Sequence, residues 1–525
     1  MAGFIDVVLR GAILVFASLA LGGVVWTRWV LRAEPHAKPA PATALALRAV
    51  ALAAFAAALA QASTLLVAFT EVSRTAAAGD WPAGAFLATT FARAAVLRVA
   101  LALALGALAL RLARHAAGPG AWWTLSALAL AFLAMSAVLS HAVARMEGRG
   151  MLMALDALHQ VAAAVWIGGL AHLTLWASRG GGEATAAAGA ALLRRFSNLA
   201  LGSVVTLVAA GVVLSWLYVG DLAAYVGTAY GVMVLSKAIL LAAMLALAVV
   251  NLRAVRAAAA GGRVLRRVEV ELGLGVTVLF AAASLTSLPP AIDVTADRAS
   301  VAEVAARFVP APPRLTSPPV EELIAKAEPL MATATRREPV ERAWSEYNHH
   351  WAGFFVLMIG LLGCLERFGV RAARHWPLVF LGMAAFMFVR NDPRAWPLGP
   401  AGFWESLLLP DVLQHRAFVL LVLGFGVFEW MVRTHRLPAR PWSYVFPLLC
   451  AVGGGLLLTH SHAMFSLKSE FLSEVTHAPI GVLGVFCGWA RWTELRLPEA
   501  GRGPGWLSTL CLTAVGLILV VYREA

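Results

Sequence analysis

The amino-acid sequence predicts an all-α fold: a polytopic transmembrane helical bundle of about 14 spans in two unlike halves. Three observations lead there. Of 525 residues, 60% are hydrophobic and only 14% are charged, against roughly 25% charged residues in a soluble domain. Apolar runs of about 20 residues, the length that crosses a bilayer core, recur along nearly the whole chain. These runs are continuous in Leu, Ala and Val, whereas barrel strands alternate in polarity over about ten residues.

Taken in order, the stretch Gly3 to Val30 is too long for a signal-peptide apolar region. It carries Arg10 near its start and lacks an evident small-residue cleavage site, so it is expected as the first retained span. Further spans are expected near 44–70, 92–114, 121–143, 154–176, 197–218, 229–251 and 268–288. Together these make a membrane bundle over 1–290 of about eight spans. The pattern then breaks at Pro289-Pro290, Pro310, Pro312-Pro313 and Pro318-Pro319 among many charges, which predicts a polar linker over 291–346 between two membrane halves. A C-terminal His-rich bundle over 347–525 follows, with about six spans near 349–366, 375–390, 415–433, 442–459, 478–493 and 505–522. No fixed-period repeat relates the halves, so an inverted-repeat transporter is not supported.

The net charge of +13 does not point to nucleic acid, because the arginines sit in short connectors where they set membrane topology. Arg253, Arg256, Arg263, Arg266 and Arg267 crowd one such connector; Arg367, Arg371 and Arg374, then Arg433, Arg436 and Arg440, then Arg491, Arg496 and Arg502 crowd three more. The positive-inside rule assigns these to the cytoplasm, which puts both termini and the linker on the outer side. The lipid bilayer is thus the first expected partner. Cys364, Cys450, Cys487 and Cys511 all fall in expected spans without CxxC spacing, and read as small apolar residues rather than a disulfide framework. The chain is expected not to be an enzyme.

Under this topology the 13 histidines are unevenly placed. His141, His159, His349, His350, His415, His460, His462 and His477 fall at outward ends of spans, while His36, His115, His172, His375 and His435 fall toward the cytoplasm. Imidazole is the commonest metal ligand and suits copper, zinc, iron and nickel, so these eight are the candidate metal ligands. His460-Ser461-His462 closes one span and His477 opens the next, so a short hairpin brings three imidazoles together with Met464 nearby. In the first half, Asp156 and His159 share a helix face at i,i+3, where a carboxylate could orient a ligating imidazole. The competing reading of any one of these rings is an interfacial residue with its apolar body against lipid.

Other polar groups are set against the same background. Lys237 lies inside a span, where an ionisable group is a functional candidate or snorkels to the interface. Glu271 is expected to pair with Arg267, and Glu429 with Arg433, each at i,i+4. Trp166-Ile167-Gly168-Gly169 reads as a close helix contact.

From Ser140-His141-Ala142 through Asp156 to His159, Trp166 to Gly169, Arg195-Phe196, Gly227 to Gly231, Lys237, Asn251 and Glu271 to Pro289-Pro290, the chain resembles the CopD copper-resistance family. The resemblance is strongest over about 140–290. It extends through Asn348-His349-His350, Gln414-His415-Arg416, Thr459 to His462 and Thr476-His477-Ala478, which resemble the C-terminal region of longer CopD-like proteins. The resemblance implies movement of a copper ion across the bacterial inner membrane, generally inward, with a small periplasmic copper-binding protein as donor. One departure is the lack of dense Met runs: Met146, Met151, Met153 and Met464 are scattered, which favours a nitrogen-dominated site friendly to Cu(II). Two alternatives stay open. His159 and His172, 13 residues apart on one span, fit a haem-binding electron-transfer protein of b-cytochrome type, and a metal-delivery assembly factor fits the same histidines.

Overall fold

The protein's computed structural model describes residues 2–34, 36–75, 81–139, 148–179, 186–257, 261–326, 339–459 and 467–524. It is 82% helical without strands among those residues, so the chain is an all-α polytopic membrane protein. The first eight long helices are α1 (Ala2–Val25, prolonged by a π-helical turn at Trp26–Val30), α2 (Pro41–Thr75), α3 (Thr90–Leu112), α4 (Pro119–Val138), α5 (Arg149–Arg179), α6 (Ala186–Val219), α7 (Ala229–Arg256) and α8 (Gly261–Leu285). Six more follow: α9 (Pro339–Arg367), α10 (Val379–Arg390), α11 (Pro410–Arg433), α12 (Val445–Thr459), α13 (His477–Arg496) and α14 (Gly503–Val520).

Local chemistry explains the starts. Proline opens α2, α4, α9 and α11, at the position where its missing N–H costs nothing. Thr89 caps α3 by accepting the Ala92 N–H at 3.1 Å. Among the described residues, 13 helices are long and apolar enough to cross a membrane, and α12 is a shorter apolar helix of 15 residues. The difference from the expected count of about 14 thus falls at 442–459. Helix α9 begins at Pro339, inside the stretch read from sequence as linker, because Trp344, Tyr347 and Val340 continue its apolar face.

The chain separates into two compact units, one of residues 1–225 and 233–295, the other of 226–232, 296–458 and 462–525. In the first unit α1 runs through the middle and touches α2, α4, α5 and α8. The crossing of α1 with α5 is a backbone contact: a Cβ built on Gly168 would lie 2.0 Å from the Ser18 carbonyl oxygen, so Gly168 serves the close approach that small residues permit in membranes, while Gly169 makes room for the Phe196 ring of α6. Around it, Ala17, Ala20, Leu47, Ala54, Leu105 and Phe132 form a core of mostly small side chains.

In the second unit α9 packs along α14, and α13 along α14. Ile359, Trp376 and Phe446 are its buried centre, with Phe380 and Phe425 against them. The stretch before α9 is not structureless. Ser300 and Glu303 make a reciprocal capping box for a short helix, Val301–Arg307, whose Val304 packs with Ala299, Phe471 and Val475.

Candidate functional site

One helix carries a column of polar groups through the first unit. Asp156, His159, Trp166 and His172 all lie on α5, and a span of 16 residues at about 1.5 Å each extends roughly 24 Å. His159 Nδ1–H donates to the Leu207 carbonyl of α6 at 3.0 Å, which leaves the lone pair on Nε2. Its ring fits because Gly211 has no side chain: a Cβ there would stand 3.0 Å from the His159 ring. Asp156 accepts from Gln160 at 3.0 Å, and Lys237 of α7 lies in electrostatic range of both Asp156 and His159. Orientation of the imidazole comes from a backbone carbonyl of the neighbouring helix, not from Asp156 as the i,i+3 spacing suggests.

Two turns along, a second polar group closes over a buried carboxylate. Trp166 Nε1–H donates to Glu271 Oε1 at 3.0 Å, and the Asn251 amide donates to Oε2 at 2.9 Å. This corrects the expected Glu271–Arg267 ion pair. Glu271 is only 3% exposed, so its face of α8 turns into the unit and away from the Arg-bearing connector. The Asn251 carbonyl oxygen is buried without a hydrogen-bond partner among the described residues. All three side chains line a cavity of about 100 Å³ whose other walls include Phe196, Ser197 and Leu245. Asn251 and Glu271 thus make part of the cavity wall oxygen-rich, and most of the rest is apolar.

His172 is buried, and its Nε2–H donates to the Leu19 carbonyl of α1 at 3.0 Å. Its ring touches Gly23, where a Cβ would come within 2.3 Å of Nε2. A porphyrin ligated by His172 would have to displace α1, so the packing disfavours the b-cytochrome alternative.

The second unit brings two of the sequence-predicted ligands together. His349 of α9 and His477 of α13 have ring centroids 5.8 Å apart, edge to face. His349 Nδ1–H donates to the Ser345 carbonyl at 2.9 Å, and His477 Nδ1–H to the Glu474 carbonyl at 3.3 Å. Both rings thus keep their lone pair on Nε2, the tautomer that carbonyl partners impose on metal-ligating imidazoles. Two imidazoles that share one ion through bonds near 2 Å have centroids no more than about 6 Å apart, so this separation is compatible with a shared ion. Tyr522 stacks on His349 at 4.1 Å, and its hydroxyl donates to Glu524 at 3.0 Å. Ser345 also donates to Glu524.

The other candidates are placed differently. His350 is fully buried, accepts the Arg314 N–H at Nδ1 (2.7 Å) and donates from Nε2 to the Tyr522 carbonyl (2.8 Å). Both its nitrogens are occupied, so here it ties the chain before α9 to the end of α14. His415 Nδ1 meets the Asp392 carboxylate at 2.7 Å. His141, His460, His462, Met146 and Met464 lie outside the described residues. Among the described residues no group of three or more His, Cys, Asp or Glu side chains is arranged to hold one ion. Sequence reasoning overlooked the Trp166–Glu271–Asn251 cluster and the Tyr522–Glu524 support. Aromatic and acidic residues inside or at the end of apolar runs are the signal that could have raised them.

Fold and site together define a multi-pass helical membrane protein with buried polar side chains along one bundle and an imidazole pair in another. Comparison with known proteins gives this class a family direction. Residues 190–285 match the family described as CopD, Copper resistance protein D. That bears out the resemblance over the stretch that holds Leu207, Gly211, Lys237, Asn251 and Glu271. The chain is 28% identical over 168 residues to the Copper transport protein CutJ of Bacillus subtilis (strain 168), covering 32% of this chain and 31% of that protein. The chain thus spans about a third of the length of that curated relative. No solved structure matches.

Proposed function

We propose that the protein moves copper across a bacterial inner membrane, taking the ion up from the periplasm through outward-facing histidines. The observation that carries this reading is the His349–His477 pair, two rings 5.8 Å apart with both Nδ1 atoms tied to carbonyls. His460 and His462 are close in sequence to His477 and would complete a three- or four-imidazole set, which suits copper. His415, held by Asp392, and His350, which braces the same helix ends, belong to the wider set. In the first unit His141 and His159 would receive the ion, and the polar groups of α5 and Glu271 would pass it inward. The 291–346 linker and both termini then face the periplasm, where a small copper-binding protein serves as donor. The chain is a transporter and not an enzyme in this reading, and copper is its cargo.

The test is copper content of cells expressing the intact chain, a His349→Ala/His477→Ala variant and a His460→Ala/His462→Ala variant. Higher copper with the intact chain than with an empty vector, and loss of that excess in both variants at equal membrane insertion, is expected. Copper contents that do not differ between intact and variant chains would refute the histidine assignment. Lower copper with the intact chain would reverse the direction. Topology is checked with single introduced cysteines in spheroplasts: labelling at position 305 but not at 263 is expected, and the opposite pattern overturns the orientation.

A further inference from the structure

Helices α12 and α13 of the second unit cross with their backbones in contact. A Cβ on Gly488 would stand 2.4 Å from the Pro447 carbonyl oxygen, and one on Gly454 would stand 2.5 Å from the Gly481 carbonyl oxygen. Helices this close bring side chains of the crossing face onto each other, and on this face are Cys450 of α12 and Cys487 of α13. Each thiol is the strongest electrostatic influence on the other. Cys487 also contacts the Ser508 hydroxyl of α14 at 3.5 Å and is 1% exposed. Nothing in the imidazole reading uses this pair, and treating the cysteines as small apolar residues leaves their proximity at the crossing unexplained.

We propose that Cys450 and Cys487 form a two-coordinate site for Cu(I) inside the second unit. Thiolates are the ligands that select Cu(I) over harder ions, and two sulfurs from crossing helices match the low coordination number of that ion. Two Cu–S bonds form, two S–H protons leave, and the copper stays Cu(I), so no electron donor is needed. The product, a Cu(I) ion between two thiolates, carries one net negative charge.

The surroundings supply a counter-charge on the Cys487 side. Arg367 and Arg491 both bind Glu494, the first through two oxygens at 2.6 and 3.0 Å. Two guanidinium groups on one carboxylate leave one positive charge in excess. Arg491 is one turn from Cys487 on α13, and both arginines lie in electrostatic range of that thiol. On the Cys450 side Glu429 is nearby and is held by Arg433 at 2.7 Å. Arg433 also binds Glu366 at 2.6 Å, so the Cys450 side carries one negative charge in excess and the positive excess is confined to the Cys487 side.

The placement matters for transport. His477 and Cys487 are ten residues apart on α13, about 15 Å along the helix. The thiol pair thus lies deeper along the helix that presents the imidazole at its start. Only the choice of copper rests on the transport reading; a buried dithiol pair would bind a soft monovalent ion whether or not the chain transports it.

The experiment is anaerobic titration of the purified full-length, reduced protein in detergent with Cu(I) against a competing chelator, followed by X-ray absorption. A tightly held Cu(I) with an all-sulfur shell is expected. Cys450→Ser and Cys487→Ser should each lose it, and Cys364→Ser and Cys511→Ser should keep it. A nitrogen- or oxygen-only shell in the intact protein overturns the proposal however the variants fold. So does a Cys450–Cys487 disulfide in protein that binds no Cu(I) after reduction. Sulfur-bound Cu(I) in a protein that leaves cellular copper unchanged would retain this site while removing the transport reading.

Discussion

Replacing Trp166 with Phe tests the buried carboxylate directly. The indole is 1% exposed and its N–H is one of two donors on Glu271, at 3.0 Å. A hydrogen bond to a charged group contributes about 1.5–3 kcal/mol, and shrinking a fully buried indole to a phenyl ring adds about 1–2 kcal/mol of lost packing. The substitution should therefore cost about 2.5–5 kcal/mol, of which only the first part reports on Glu271. A double-mutant cycle with Glu271→Met separates the two, because the packing loss appears on both sides and cancels. SDS-driven unfolding in mixed micelles, followed by helical circular dichroism, gives the four stabilities. A coupling of about 1.5–3 kcal/mol between the two positions is expected. A coupling below about 0.5 kcal/mol, the range of independent sites, would show that the indole N–H does not hold the carboxylate and would remove the cluster from the polar path.

Four other outcomes follow from the packing, the ion pairs and the helix cap. Gly168→Ala places a methyl group 2.0 Å from the Ser18 carbonyl oxygen and should cost about 3 kcal/mol or more, read as lost monodisperse protein in gel filtration; unaltered stability would contradict the α1–α5 backbone contact. Arg433→Met strands Glu429, which is 3% exposed, and should cost about 3–5 kcal/mol in the same SDS titration, with rescue by Glu429→Gln. Outside the membrane, Lys468 at 2.8 Å, then the Ser300 cap, hold the Glu303 carboxyl down to about 2 from its usual 4.5. A depressed carboxylate stabilises the fold above its unfolded value and loses that contribution as pH falls, so hydrogen-exchange protection of residues 301–307 should be constant down to about pH 4.5 and decline toward pH 2. Ser300→Ala should weaken that short helix by about 1 kcal/mol at neutral pH, and protection that declines already between pH 7 and 5 would point to a different titrating group.

Spacing along a helix proved informative where both partners share it. The Glu429–Arg433 pair expected at i,i+4 is present at 2.7 Å, and Asp156 and His159 do lie in one neighbourhood. The same rule misled for Glu271, since its partners Trp166 and Asn251 are 105 and 20 residues away. Which face of α8 turns inward is decided by packing against other helices, and hydropathy registers that only weakly in a segment apolar on most sides. Cys450 and Cys487 are invisible for the same reason: their proximity comes from a glycine-lined crossing, not from a motif. The membrane spans were legible because burial in lipid demands about 20 apolar residues and internally bonded backbone, a requirement that composition alone records. The engagement of His350 by Arg314 and Tyr522 depends on how the chain before α9 folds back, which its expected place at a span end does not specify.

The lengths of α2 and α5 have a consequence for the lipid around the first unit. Their 35 and 31 residues rise about 52 and 46 Å at 1.5 Å each, well beyond a typical hydrocarbon thickness of about 30 Å. Each must tilt or carry its ends out of the hydrocarbon, at a cost of fractions of a kcal/mol per Å of mismatch. Acyl-chain length is thus a control on the first unit in particular, and vesicles of long-chain lipids are the medium in which its packing should be most stable.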